Sequence, residues 1–140
     1  MILPITLTIA AAAALLNVWL AFRVSRVRVG RKVSIGHGGD TLLETRMRAH
    51  ANFIEYTPFF LILLALIELA HGAQTWLWLV AIVYILARIA HAFGIERPAP
   101  NPLRAGGALI TWVVLIGLAG YALSIPYLAK PAPAAVDAKA

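Results

Sequence analysis

The chain has 140 residues, 61% of them hydrophobic and 13% charged, with a net charge of +6 and a mean hydropathy of +0.83. A soluble domain of this size runs nearer half apolar and a quarter charged, so a water-soluble globule is excluded. The absence of cysteine excludes disulfides and thiolate metal sites, and cations that flank apolar runs point to an anionic membrane surface or ligand rather than to nucleic acid.

A hydrocarbon layer about 30 Å thick needs roughly 20 apolar residues as helix. The first such stretch is "PITLTIAAAAALLNVWLAF", which starts at Pro4 and ends just before Arg23. No basic segment precedes it and it is longer than an h-region, so a cleaved signal peptide is not expected. A glycine-rich loop, "VGRKVSIGHGGDT", follows. The second stretch begins within "RMRAHANFIEYTPFF", residues 46–60, and continues through "LILLALIELA". The short link "HGAQ" makes it an antiparallel neighbour of the third, "TWLWLVAIVYILARIAHAF". "GIERPAPNP" leads to the fourth, which ends at Leu128. The pattern predicts an all-α integral membrane protein, one four-helix bundle over residues 1–128, with helices about 4–28, 44–71, 75–95 and 103–128. The Pro/Ala-rich residues 129–140 read as a flexible tail.

Lysine and arginine set the orientation. Arg23, Arg26, Arg28, Arg31, Lys32, Arg46 and Arg48 surround the first loop, and Arg88, Arg97 and Arg104 the third. The second loop has none. Loops one and three are therefore expected on the cytoplasmic side and both termini on the other.

Polar groups collect at that end. Arg48, Asn52 and Glu55 recur at i, i+4, i+7 and share one helix face, as do Tyr84, Arg88 and His91. Arg104 opens the fourth helix at the same level, and Arg26 and Arg28 close the first. Arginine at a helix end commonly snorkels to headgroups, so Arg23, Arg26, Arg46 and Arg97 read as topology anchors. Glu68 and His71 read as solvated by the short outer loop, and His37 receives no role. Convergence of charged and amide groups inside membrane helices favours a ligand site, because such groups are costly unless they face an interior or a wet cavity. An arginine-rich pocket with one carboxylate and one amide suits a small ligand with carboxylates and an ammonium group.

"RAHANFIEYTPF" resembles the second-helix signature of the MAPEG family, membrane-associated proteins of eicosanoid and glutathione metabolism: Arg, then Asn four residues on, Glu three further, an aromatic or small residue, and Pro. "YILARIAH" and "PNPLRAGGAL" are similar to the family's third-helix motif and fourth-helix start. The resemblance covers about residues 5–128 and is nearest to bacterial members, whose membrane would be the inner one. It implies a homotrimer of left-handed four-helix bundles with glutathione as co-substrate between subunits. Carried over, Arg48, Asn52, Glu55 and Tyr56 would hold glutathione, with Glu55 at its amino group. Arg88 and His91 would line the site. His50, about 200° round from Arg48 at roughly 100° per residue, would reach glutathione held by the neighbour. Arg104 would stabilise the thiolate, assisted by Arg28, or Arg26 in its place, from the neighbouring first helix.

The implied activity is a glutathione transferase or peroxidase acting on lipophilic electrophiles or hydroperoxides that arrive through the bilayer. The sequence departs from the family at Ile95, where many relatives have tyrosine, and at Ala51, where some have a second arginine. Ala105, Gly106, Gly107 and Ala108 stand where the prostaglandin-forming branch has serine and tyrosine, so prostaglandin isomerisation is not expected. A non-catalytic lipid- or partner-binding scaffold is the alternative reading. A transporter is weaker still, because Asn17 is the only polar residue deep in the first helix.

Overall fold

At 1.5 Å per residue, the apolar runs form helices long enough to cross the hydrocarbon layer. The computed structural model describes residues 2–128. Within them α1 spans Pro4–Arg31, α2 Thr41–His71, α3 Thr75–Gly94 and α4 Pro102–Leu128, and no strand occurs among the described residues. The tail expected at 129–140 lies outside them. α1 continues three residues past the expected 28, to Arg31, and α2 starts at Thr41 because Asp40 caps it, its carboxylate accepting from Leu43 N at 2.8 Å. All four helices are long and apolar enough to cross a membrane, and the chain is a multi-pass four-helix membrane protein.

Each helix buries one stripe. On α1 it is Ile5, Ile9, Ala13, Leu16, Leu20, Val24 and Val27. The intervals of four, four and three residues recur twice, close to the period of a straight helix. α1 lies along α2 and α3 along α4, α2 also meets α3 and α4, and α1 does not touch α4. In the half of the bundle around the short α2–α3 link, Phe60 stacks on Tyr84 with centroids 3.7 Å apart among Ile5, Leu64, Ile67 and Leu77. The outward side chains are apolar too: Leu15, Val18, Phe22, Phe59, Ile62, Leu79, Val113 and Ile116 are exposed. They face lipid, as a membrane protein requires.

Two expectations are corrected. Glu68 is not solvated; it is 1% exposed. Its carboxylate accepts from Ile5 N at 2.9 Å, Thr6 N at 2.8 Å and Thr6 Oγ1 at 2.7 Å. The first turn of an α-helix leaves its N–H groups without partners. Here Pro4 has none to satisfy, Glu68 takes the next two, and Leu7 N bonds Leu3 O. A carboxylate is also the charge the helix dipole favours at that end.

Arg23 and Arg46 are not lone anchors either. Both bind Glu96 Oε1, and Arg46 Nη1 donates to Arg23 O at 3.1 Å. The Arg23 guanidinium lies between Trp19 and Phe93, 4.6 and 5.1 Å from their centroids. This cluster ties α1 and α2 to the α3–α4 loop.

Candidate functional site

The site is built from helix ends. Pro102 occupies the first position of α4, where its missing N–H costs nothing. Asn101 Oδ1 accepts from Leu103 N at 3.0 Å and Arg104 N at 3.3 Å. That cap puts Arg104 on the first turn of α4. The His91 ring on α3 reaches the same turn, with Nδ1 3.0 Å from Arg104 O. A carbonyl only accepts, so Nδ1 carries the proton and Nε2 is left as the acceptor when the ring is neutral.

Two glycines permit this approach. A Cβ on Gly94 would overlap Arg104 N and Leu103, and one on Gly107 would lie 2.6 Å from Ala87 O and 2.7 Å from His91 Cβ. Backbone atoms cannot yield as a flexible side chain does. Small residues of this kind let membrane helices pack closely. Gly107→Val should therefore separate α3 from α4 at the site and cost about 1–3 kcal/mol as overpacking. Thermal unfolding in detergent would read this as a clear fall in melting temperature; an unchanged one would mean that the helices are not in backbone contact.

The resulting cavity, about 540 Å³, lies between α2 and the α3–α4 corner. Arg48 and Asn52 on α2, His91 on α3 and Arg104 on α4 line it together. So do Glu44, Ile95, Asn101 and Trp112. Asn52 is held from behind: Arg88 Nη2 donates to its Oδ1 at 2.6 Å, and Arg88 Nη1 donates to Thr111 Oγ1 at 3.1 Å. With Oδ1 occupied, the amide nitrogen of Asn52 remains as a donor. Arg88 is 2% exposed and makes no ion pair among the described residues. The wall thus carries two cations, Arg48 and Arg104, against one carboxylate, Glu44, with a third cation behind it.

Other expected residues lie elsewhere. Arg88 backs the wall rather than lining it. Glu55 is exposed on α2, outside the cavity. Tyr56 sits beside it, accepting from Trp112 Nε1 at 3.2 Å. His50 bonds Asn17 of its own chain, with Nε2 2.9 Å from Oδ1. Arg28 is turned to the first loop, donating to Gly36 O at 2.9 Å and Ser34 O at 3.4 Å, with Met47 Sδ 3.3 Å away. Arg26 borders a separate cavity between α1 and α2.

Sequence reasoning missed Glu44, Trp112, Thr111 and Glu96. Glu44 was legible, since Glu44, Arg48 and Asn52 continue one stripe at four-residue steps. Glu96, in a proline-rich loop, carried no periodic signal.

The chain matches the MAPEG family over residues 6–124. It is also similar to Inner membrane protein YecN of Escherichia coli strain K12 and of Escherichia coli O6:H1. Each is 32% identical over 108 residues, covering 76% of this chain and 81% of the relative. The match spans all four helices and includes every residue that lines the cavity. The chain belongs to the MAPEG family.

Proposed function

We propose that the protein is a glutathione-dependent membrane transferase or peroxidase of the inner membrane, in which Arg104 stabilises the thiolate of a thiol tripeptide bound against Arg48 and Asn52. The cavity that joins Arg48, Asn52, His91 and Arg104 from three helices carries this reading. Its excess of positive charge suits a ligand with two carboxylates and a thiolate, and a single ammonium suits one carboxylate. A thiol of pKa about 8.5 is mostly protonated at neutral pH, and only the thiolate attacks. A guanidinium beside it favours the charged form. The thiolate sulfur then bonds to an electrophilic carbon, or takes one oxygen from a hydroperoxide and releases an alcohol, with a second thiol completing the reduction to disulfide.

The same proposal includes a homotrimer. Glu55 is exposed on the isolated chain although it lies within the membrane-spanning helix α2. A bare carboxylate facing lipid is costly, so a neighbouring subunit or the ligand covers it, and Glu55 then meets the ligand ammonium between subunits. Native mass spectrometry in mild detergent should show three chains, with glutathione bound only to that species. A monomer that binds glutathione equally well would refute the shared site.

Sidedness follows from the loop charges: loops one and three face the cytoplasm. Single cysteines at Ser34 and Ala73 should be labelled by an impermeant maleimide from opposite faces of the membrane. Labelling of both from one face would contradict the orientation.

A scaffold without chemistry is the second reading, and a specific observation favours it. Arg28 uses its donors on first-loop carbonyls of its own chain, so thiolate stabilisation rests on Arg104. Calorimetry separates the two readings: the enzyme binds glutathione, and a scaffold that binds only lipids or partners does not.

A further inference from the structure

We propose that the cavity between the last turns of α1 and the first turns of α2 binds the phosphate headgroup of an anionic phospholipid. This second cavity, about 520 Å³, is lined by Arg26, Val27, Gly30, Arg31, Leu42 and Arg46. It is distinct from the thiol cavity and does not depend on the reading given to that one.

Charge compensation is the first observation. Arg31 pairs with Asp40 at 3.1 Å, and Arg23 and Arg46 share Glu96. Arg26 is exposed and has neither a hydrogen bond nor an ion pair among the described residues. Four arginines at this corner therefore meet two carboxylates, which leaves two positive charges unmatched. No carboxylate lines the cavity itself. A phosphate oxyanion supplies the missing charge in a form that guanidinium recognises by paired N–H donors.

Depth is the second. Arg26 stands about 33 Å along the α1 axis from Pro4, slightly more than the thickness of a hydrocarbon layer of about 30 Å. With the first turn of α1 at one boundary, Arg26 lies at the headgroup level of the other.

The third observation separates a lipid from a free phosphorylated solute. Val18, Phe22, Arg26 and Val29 recur at i, i+4, i+8 and i+11, on one face of α1. Val18, Phe22 and Val29 are 66%, 63% and 80% exposed. Apolar side chains thus continue from the guanidinium into the bilayer along the path an acyl chain takes. A free phosphate would use the arginines and leave that face unused.

Clusters of cations at this level attract anionic lipid by about fivefold per residue. Native mass spectrometry of the full chain, titrated with dioleoyl phosphatidylglycerol or dioleoyl phosphatidylcholine, reads the preference directly. We expect the anionic lipid to be held about twentyfold more tightly, Arg26→Gln to remove about fivefold of that, and Arg26→Lys to retain most of it. Arg26 is exposed, so neither substitution disturbs the core. Equal affinity for the two lipids would overturn the proposal, as would an unchanged preference in Arg26→Gln. Displacement of phosphatidylglycerol by glycerol 3-phosphate at similar concentration would assign the site to a soluble phosphate. Displacement by glutathione would assign Arg26 to the thiol site. Either result would end the lipid reading.

Discussion

Glu68→Ala should destabilise the protein by roughly 2–4 kcal/mol, seen as a large fall in melting temperature of the detergent-solubilised chain by circular dichroism. The substitution leaves Ile5 N, Thr6 N and Thr6 Oγ1 without their acceptor. A buried donor left unpaired costs about 1–3 kcal/mol, and the three share one carboxylate, so their costs do not simply add. Hydrocarbon offers no water as a substitute acceptor. Loss of the negative charge at the α1 N-terminus acts in the same direction. Glu68→Gln should fall between wild type and alanine, because its carbonyl still accepts while its NH2 faces donors. If alanine matched wild type, α1 would be held by apolar packing alone.

The second large effect concerns Arg104. Beside the guanidinium, the bound thiol should ionise about 1–3 units below its free value of about 8.5. The sign follows from linkage. A ligand group whose pKa falls on binding makes affinity rise with pH between the bound and the free pKa, and level off above the free value. Proton release on binding marks the same window. Arg104→Ala should return the thiol to near its free pKa and flatten that pH dependence. Affinity at low pH should be little altered, since Arg48 and Asn52 still hold the peptide. Glu55→Ala should do the reverse, weakening binding about 10–100-fold through loss of a charge-assisted bond, with the thiol titration unmoved. If Glu44→Gln weakened binding instead, the ammonium would lie at the cavity wall and not at the subunit boundary.

The four spans were legible because hydrophobic length is a direct physical requirement of the bilayer, and the second-helix face was legible because Arg48, Asn52 and Glu55 obey the helical period. Two things were not. Periodicity assigns a direction but not a partner. His50 does diverge from the Arg48 face, yet nothing in the spacing says that Asn17 waits for it on α1. Nor does composition reveal depth of burial. Glu68 sits two residues before the end of the apolar run, where a carboxylate reads as solvated; only the folded chain brings the α1 N-terminus to it. Glu96 was hidden for the same reason, since its partners Arg23 and Arg46 are 73 and 50 residues away. The glycines at 94 and 107 looked like ordinary turn and helix residues until α3 and α4 were seen to meet at their backbones.

The central claim is that the cavity holds a thiol as thiolate. Ultraviolet difference spectroscopy of the wild-type protein with glutathione, titrated from acid to neutral pH, tests it most directly. The account predicts thiolate absorbance well below about pH 8, where free thiol is still mostly protonated. Glutathione that binds but stays protonated to that pH would contradict it.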